Sequence, residues 1–198
     1  NYSSKLIVFK LLSIYDREIS NYLGDYNEFQ LPQNFITEEL RYGENPHQVG
    51  FLHKNNQVNG IANSIILSGK KMSYNNYLDA DTAFLAVNNF DKNCAAIVKH
   101  SNVCGLSVRD EQIDAFKEAI QGDPVSAYGG ILGLNSDVKE NVAKEIVKNF
   151  FEIIIAPKYD KDALNILKSK KNLRIIESSF KIPHNYSLRS ISGGYLAQ

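Results

Sequence analysis

At 198 residues the chain can bury one substantial core, or form one domain and part of another. Its 22 basic and 22 acidic side chains cancel, which leaves no bulk field to recruit nucleic acid or an anionic membrane. No apolar run approaches the roughly 18 residues that span a bilayer, and no signal peptide is visible. Two cysteines, Cys94 and Cys104, make neither a CxxC metal pair nor a secreted disulfide framework. The expectation is a cytoplasmic α/β protein. A start at Asn1 without methionine, and a stop soon after Gly193-Gly194, point to a piece of something longer.

In chain order, Leu6, Phe9, Leu12, Ile19 and Leu23 recur at near-helical spacing and predict an amphipathic helix over 5–23, ending near Gly24. A connector over 26–32 precedes a strand over 35–42, a polar loop over 43–48 and a strand over 49–53. Ile65 to Leu67 reads as a strand, 69–76 as a polar loop, and Leu78, Ala83, Leu85 and Val87 as a helix whose acidic start, Asp79 and Asp81, suits the N-terminal dipole. Cys94 to Val98 is an apolar run of the kind buried on both faces in parallel sheets. Helices over 110–121, 138–150 and 160–168 then alternate with strands over 128–134, 153–155 and 173–176. That rhythm predicts parallel βαβ units with right-handed crossovers.

Open α/β sheets bind ligands beyond the carboxyl ends of their strands, where Lys99 and His100 fall. Histidine titrates near neutrality and suits general-base work, and an adjacent ammonium can stabilise developing negative charge. The polar segments 41–48, 70–81, 99–105 and 122–130 follow or flank predicted strands and can converge on one sheet edge. Simpler readings stand beside each. His100 could be a hydrogen-bonded core histidine, Arg41 could pair with a surface carboxylate, Asn75-Asn76 could be a plain turn, and Gly129-Gly130 could only permit close packing. The dinucleotide and P-loop glycine fingerprints, the GxSxG elbow and the zinc-deaminase HxE…PCxxC pattern are all missing from the sequence.

The motifs themselves carry a resemblance. Arg41-Tyr42-Gly43-Glu44-Asn45-Pro46-His47-Gln48 is followed by Ser73-Tyr74-Asn75-Asn76 with Asp79-Ala80-Asp81, and by Val98-Lys99-His100-Ser101-Asn102-Val103-Cys104-Gly105. Asp123 to Gly130 and Glu152 to Pro157 complete five ordered motifs. Together they resemble the bifunctional purine-biosynthesis enzymes that combine AICAR formyltransferase with IMP cyclohydrolase. The family usually has proline at Val103 and often phenylalanine at Tyr128, so the loop after His100 is expected to be less rigid here.

The resemblance implies formyl transfer from 10-formyltetrahydrofolate, as co-substrate, to the 5-amino group of AICAR, with a cyclohydrolase elsewhere in the polypeptide closing the product to IMP. It implies a cytidine-deaminase-like three-layer α/β subdomain without zinc, a mostly parallel central sheet with flanking helices, and a homodimer with active sites across the interface. Residues 1–32 would be a helical connection from a cyclohydrolase domain, 33–178 the first formyltransferase subdomain, and 179–198 the start of the linkage to a second. On matching positions, His100 is the general base and Lys99 the oxyanion stabiliser. Arg41 and Tyr42 hold the phosphate and ribose end, and Asn76, Asn102, Gly129 and Glu152 bind AICAR. Nucleic acid, membrane and metal are not expected partners. The alternative reading is an inactive fragment or nucleotide-binding module that retains partial AICAR affinity.

Overall fold

The computed structural model describes residues 35–55, 59–178 and 187–197, with residues 11, 12, 15, 16, 19 and 22. Those last positions are helical, and the rest of the helix predicted over 5–23, like the connector over 26–32, lies outside the described residues. The chain divides into two compact units, Asn34–Asn185 on one hand and Asn1–Gln33 with Tyr186–Gln198 on the other.

In the larger unit, β1 (Ile36–Glu39) and β2 (Phe51–Lys54) form an antiparallel pair. A six-stranded sheet is built from β3 (Ile65–Ser68), β4 (Asn93–Lys99), β5 (Asn102–Arg109), β6 (Gly130–Leu134), β7 (Phe151–Ala156) and β8 (Arg174–Glu177), in the order β3-β8-β7-β6-β4-β5. Five helices interleave with these strands: α1 (Tyr74–Asn88), α2 (Gln112–Gly122), the single turn α3 (Pro124–Ala127), α4 (Glu140–Ile146) and α5 (Lys161–Lys168). In the smaller unit β9 (Leu188–Ile191) and β10 (Gly194–Ala197) pair as a hairpin, with Gly193 at φ 81° in the turn that Gly193-Gly194 signalled.

Strand periodicity sorts the core into two layers. Ala95, Ile97, Leu132, Leu134, Ile154 and Ile175 face α2, α4 and α5, where Phe116, Val142, Ile146 and Leu167 are buried. Their neighbours Val98, Ile131, Ile153, Ile155 and Ile176 face the other way, onto Ala80, Ala83 and Phe84 of α1. The three-layer arrangement with flanking helices is therefore present. The mostly parallel sheet is not. Only β6–β7 and β7–β8 run parallel, whereas β4 is antiparallel to both β5 and β6, and β3 is antiparallel to β8. Residues 94–98 are buried on both faces, as their apolar run implies, but that burial comes from helices on both sides and says nothing about strand direction.

The error traces to one missed strand. Residues 99–105 were expected to be a polar loop, yet the chain reverses in two residues and pairs back along β4. Val103 lies opposite Val98 in that ladder, so pairing, rather than proline, fixes the backbone here. Because β5 is the outermost strand, it is also a setting in which a ladder tolerates proline.

Two glycines let helices lie close on this sheet. A Cβ on Gly105 would sit 1.9 Å from the carbonyl oxygen of Ala119 in α2, and one on Gly133 would sit 2.8 Å from that of Ala83 in α1. Backbone atoms cannot swing aside as a side-chain tip can. Gly105→Ala is therefore expected to destabilise the fold by about 3 kcal/mol, read as a lower urea midpoint at unchanged slope.

Candidate active site

The segment 41–48 folds on itself before it can bind anything. Gly43 N–H donates to Gln48 O at 2.7 Å, Gln48 N–H to Asn45 O at 3.0 Å, and both the backbone and side-chain amides of Asn45 to Gln48 Oε1 at 3.0 Å. A Cβ on Gly50 would lie 2.8 Å from Tyr42 O, which shows how tightly the loop's two arms approach. Asn45 and Gln48 thus satisfy each other. Arg41 is left exposed, its guanidinium 5.6 Å from the Tyr42 ring centre, and no carboxylate among the described residues pairs with it.

The predicted turn at Asn75-Asn76 is the first turn of α1. Ser73 caps that helix: its hydroxyl accepts from Asn76 N–H at 3.3 Å, while Asn76 Oδ1 accepts from Ser73 N–H at 3.1 Å. Asn76 Nδ2 then donates to Glu152 Oε2 at 3.3 Å, and Asn75 Nδ2 donates to Glu44 O at 3.2 Å. One helix start therefore holds both the 41–48 loop and the exposed carboxylate near the entry to β7. Asp79 and Asp81 fall beyond the first turn, so the expected role of this acidic pair at the helix dipole is corrected.

Lys99 closes β4, and His100-Ser101 is the two-residue loop of the β4–β5 hairpin. Both central residues have positive φ, 55° and 56°, as primed hairpin turns require. A non-glycine residue pays about 1–2 kcal/mol in that region. Asp79 offsets the strain: Oδ2 accepts from His100 N–H at 3.2 Å and Oδ1 from Ser101 N–H at 2.6 Å. Asn102 Nδ2 donates to His100 O at 2.8 Å and closes the turn from the other side. His100 is exposed, which removes the core-histidine reading.

Lys99 Nζ donates to Tyr128 O at 2.8 Å. Tyr128 is placed by α3, whose cap Asp123 accepts from Ser126 N–H at 3.0 Å and Ser126 Oγ at 2.6 Å, bonds that hold its carboxyl below the usual range. The two adjacent glycines differ in role. Gly129 turns the chain at φ 75°, and Gly130 packs where a Cβ would meet Val98 O at 3.0 Å.

These parts line two adjoining cavities. One, of about 660 Å³, is bordered by Arg41, Tyr42, Lys70, Lys71, Asn76, Glu152 and Arg174. The other, of about 410 Å³, is bordered by Asn76, Asp79, Lys99, His100, Gly129 and Glu152. Ser73, Asn76 and Glu152 belong to both. Asn102 borders neither. Of the acids in the larger cavity, Glu38 is neutralised by Lys54 at 2.6 Å, whose hydrogen bond holds its carboxyl below the usual range. With that pair cancelled, Arg41, Lys70, Lys71 and Arg174 stand against Glu39 and Glu152, so cations prevail there and an anion fits.

The edge that carries the site is unlike the expected one. It gathers the carboxyl end of β4 with the amino ends of β6, β7 and β8, because β4 runs against them. Arg174 was missed for this reason: it opens β8, an end that the parallel-sheet rule leaves out. Its Nε donates to Lys70 O at 3.1 Å, and Nη1 lies 4.0 Å from Glu152 Oε2. Asp79 carried no sequence signal beyond its place in a motif. Among the described residues no three His, Cys, Asp or Glu side chains gather as a metal site, and no helix is long and apolar enough to cross a membrane. Burial pushes the Cys94 thiol up to about 11.

Residues 3–198 match the family model described as AICARFT/IMPCHase bienzyme. The chain is 43% identical over 198 residues to the bifunctional purine biosynthesis protein PurH of Petrotoga mobilis, covering 96% of this chain and 39% of that protein. It is 47% identical over 163 residues to the protein of the same name from Aquifex aeolicus, covering 81% and 32%, and 40% identical over 194 residues to that of Clostridium acetobutylicum, covering 96% and 39%. It thus spans well under half the length of these relatives. With a matched family model over nearly its whole length, the chain belongs to the AICARFT/IMPCHase bienzyme family.

Proposed function

We propose that the polypeptide carrying this chain transfers a formyl group from 10-formyltetrahydrofolate to the 5-amino group of AICAR, as one activity of a bifunctional enzyme that also cyclises the product to IMP. The observation that carries this reading is the shared wall of the two cavities. Through Ser73, Asn76 and Glu152, a cation-rich end bearing Arg41 adjoins an end bearing Lys99 and His100. A phosphorylated ribose-imidazole has that polarity: a dianion at one end and a reacting amine at the other.

Arg41 and Tyr42 hold the phosphate and ribose, a fork-shaped guanidinium suiting a phosphate better than an ammonium. Asn76, Gly129 and Glu152 line the ring site. The 5-amino lone pair is delocalised toward the ring carboxamide, so attack needs its proton removed as the new C–N bond forms. His100 takes that proton. Lys99 gives one hydrogen to Tyr128 O and keeps others for the formyl oxygen, where negative charge collects in the tetrahedral intermediate. Collapse breaks the bond from the formyl carbon to N10 of the folate, and N10 takes up a proton. Asn102 contributes through the turn that bears His100. The family resemblance supports a cytoplasmic homodimer with sites across the subunit interface.

Assays on the full polypeptide test these roles. His100→Ala is expected to lower kcat by about 10²–10⁴ with little change in the KM for AICAR, and near-normal turnover would remove His100 as the base. Arg41→Ala is expected to weaken calorimetric AICAR affinity by about 10–100-fold, the loss of a charge-assisted pair to phosphate, and unchanged affinity would remove the phosphate role.

A further inference from the structure

His100 and Ser101 occupy the left-handed region, which side-chain-bearing residues seldom adopt. What favours the conformation lies outside the hairpin. Both turn amides donate to one carboxylate, His100 N–H to Asp79 Oδ2 at 3.2 Å and Ser101 N–H to Oδ1 at 2.6 Å, and Ser101 Oγ adds a bond to Oδ1 at 3.3 Å. Asp79 stands on the second turn of α1, the same helix whose start holds Asn76 against Glu152. Next to it Ala80 is fully buried against the sheet, so the helix cannot slide. The carboxylate is fixed by packing, and the turn is fixed by the carboxylate.

We propose that Asp79 is a positioning residue for formyl transfer: its carboxylate clamps the two turn amides and thereby sets the direction in which the His100 imidazole leaves the backbone. It touches no reacting atom. The inference rests on the functional reading above, because it concerns how the base of that reaction is aimed. A displacement of about 1 Å at a catalytic group can lower a rate 10²-fold, so a clamp on its backbone has kinetic weight.

The test compares Asp79→Asn, Ser101→Gly and the double variant in the full polypeptide. Asparagine keeps the shape but offers one acceptor oxygen for two amides. Glycine adopts positive φ without a clash, so at position 101 it makes the turn lean less on the clamp. Asp79→Asn is expected to lower kcat by about 30-fold with the KM for AICAR within about threefold, and by less than about fivefold in the Ser101→Gly background, the coupling expected of residues in direct contact. Equal losses in both backgrounds, a loss confined to KM, or no loss would overturn the positioning role. A second readout needs no turnover: hydrogen exchange of the Ser101 amide should accelerate by about tenfold or more in Asp79→Asn, and unchanged exchange would overturn the clamp itself. Failure of the wild type to formylate AICAR overturns the functional reading instead, and the exchange rate still decides whether Asp79 holds the turn.

Discussion

A two-residue reversal between β4 and β5 governs this structure, and it is costly on its own. His100 and Ser101 both have positive φ, the conformation for which hairpins ordinarily recruit Asn-Gly. The sequence places an imidazole and a hydroxyl there instead of a cheap turn residue. The strain is held by side-chain contacts around the turn, since sparsely populated backbone persists only where its surroundings over-determine it. Asp79 holds the amides and Asn102 holds the carbonyl of His100. A longer loop would have relieved the strain, but it would also have let the imidazole wander relative to Lys99, which is tied to Tyr128 O across the sheet edge.

The same reversal sets the polarity of the whole edge. Because β4 turns back into β5 and runs antiparallel to β6, its carboxyl end lies beside the amino ends of the parallel trio. The residues that meet there have different origins. Lys99 ends one strand with His100 just after it, Gly129 precedes another, Glu152 sits near the start of a third and Arg174 opens a fourth. An all-parallel sheet would have placed Glu152 and Arg174 at the far edge from His100. Helix α1 then binds the assembly together, with its capped start at the shared wall of the two cavities and its buried face on β4 and β6.

Much of this was legible in the sequence, and the failures have a common cause. Apolar runs marked β4, β6, β7 and β8, and helical spacing marked α1, α2, α4 and α5, since those patterns depend on burial alone. The segment 102–109 escaped because Asn102-Val103-Cys104-Gly105 looks polar and small, as an edge strand exposed on one side does. Losing that strand made a mixed sheet read as parallel and hid Arg174. The Arg41-Tyr42 and Lys99-His100 pairs stand out from motif and chemistry, and the structure sets them at the borders of two adjoining cavities. Asp79 was not, because a carboxylate that bonds to backbone across 21 residues leaves no local trace.

The loop 41–48 shows why a motif match and a binding role are separate statements. Within it Asn45 and Gln48 bond to each other, Gly43 bonds to Gln48, and Glu44 receives Asn75 through its carbonyl. Half the motif is scaffold. Substituting Asn45 or Gln48 would remove side-chain bonds that shape the loop, so a loss of binding in such a variant would not mark either as a ligand contact. Arg41 differs because its guanidinium lies beside the Tyr42 ring and borders a cavity in which Lys70, Lys71 and Arg174 also gather. Among the described residues no carboxylate pairs with that cation, and the cavity it borders holds more cations than free carboxylates. The proposed phosphate would account for that charge, and the rest of the loop would serve to present it.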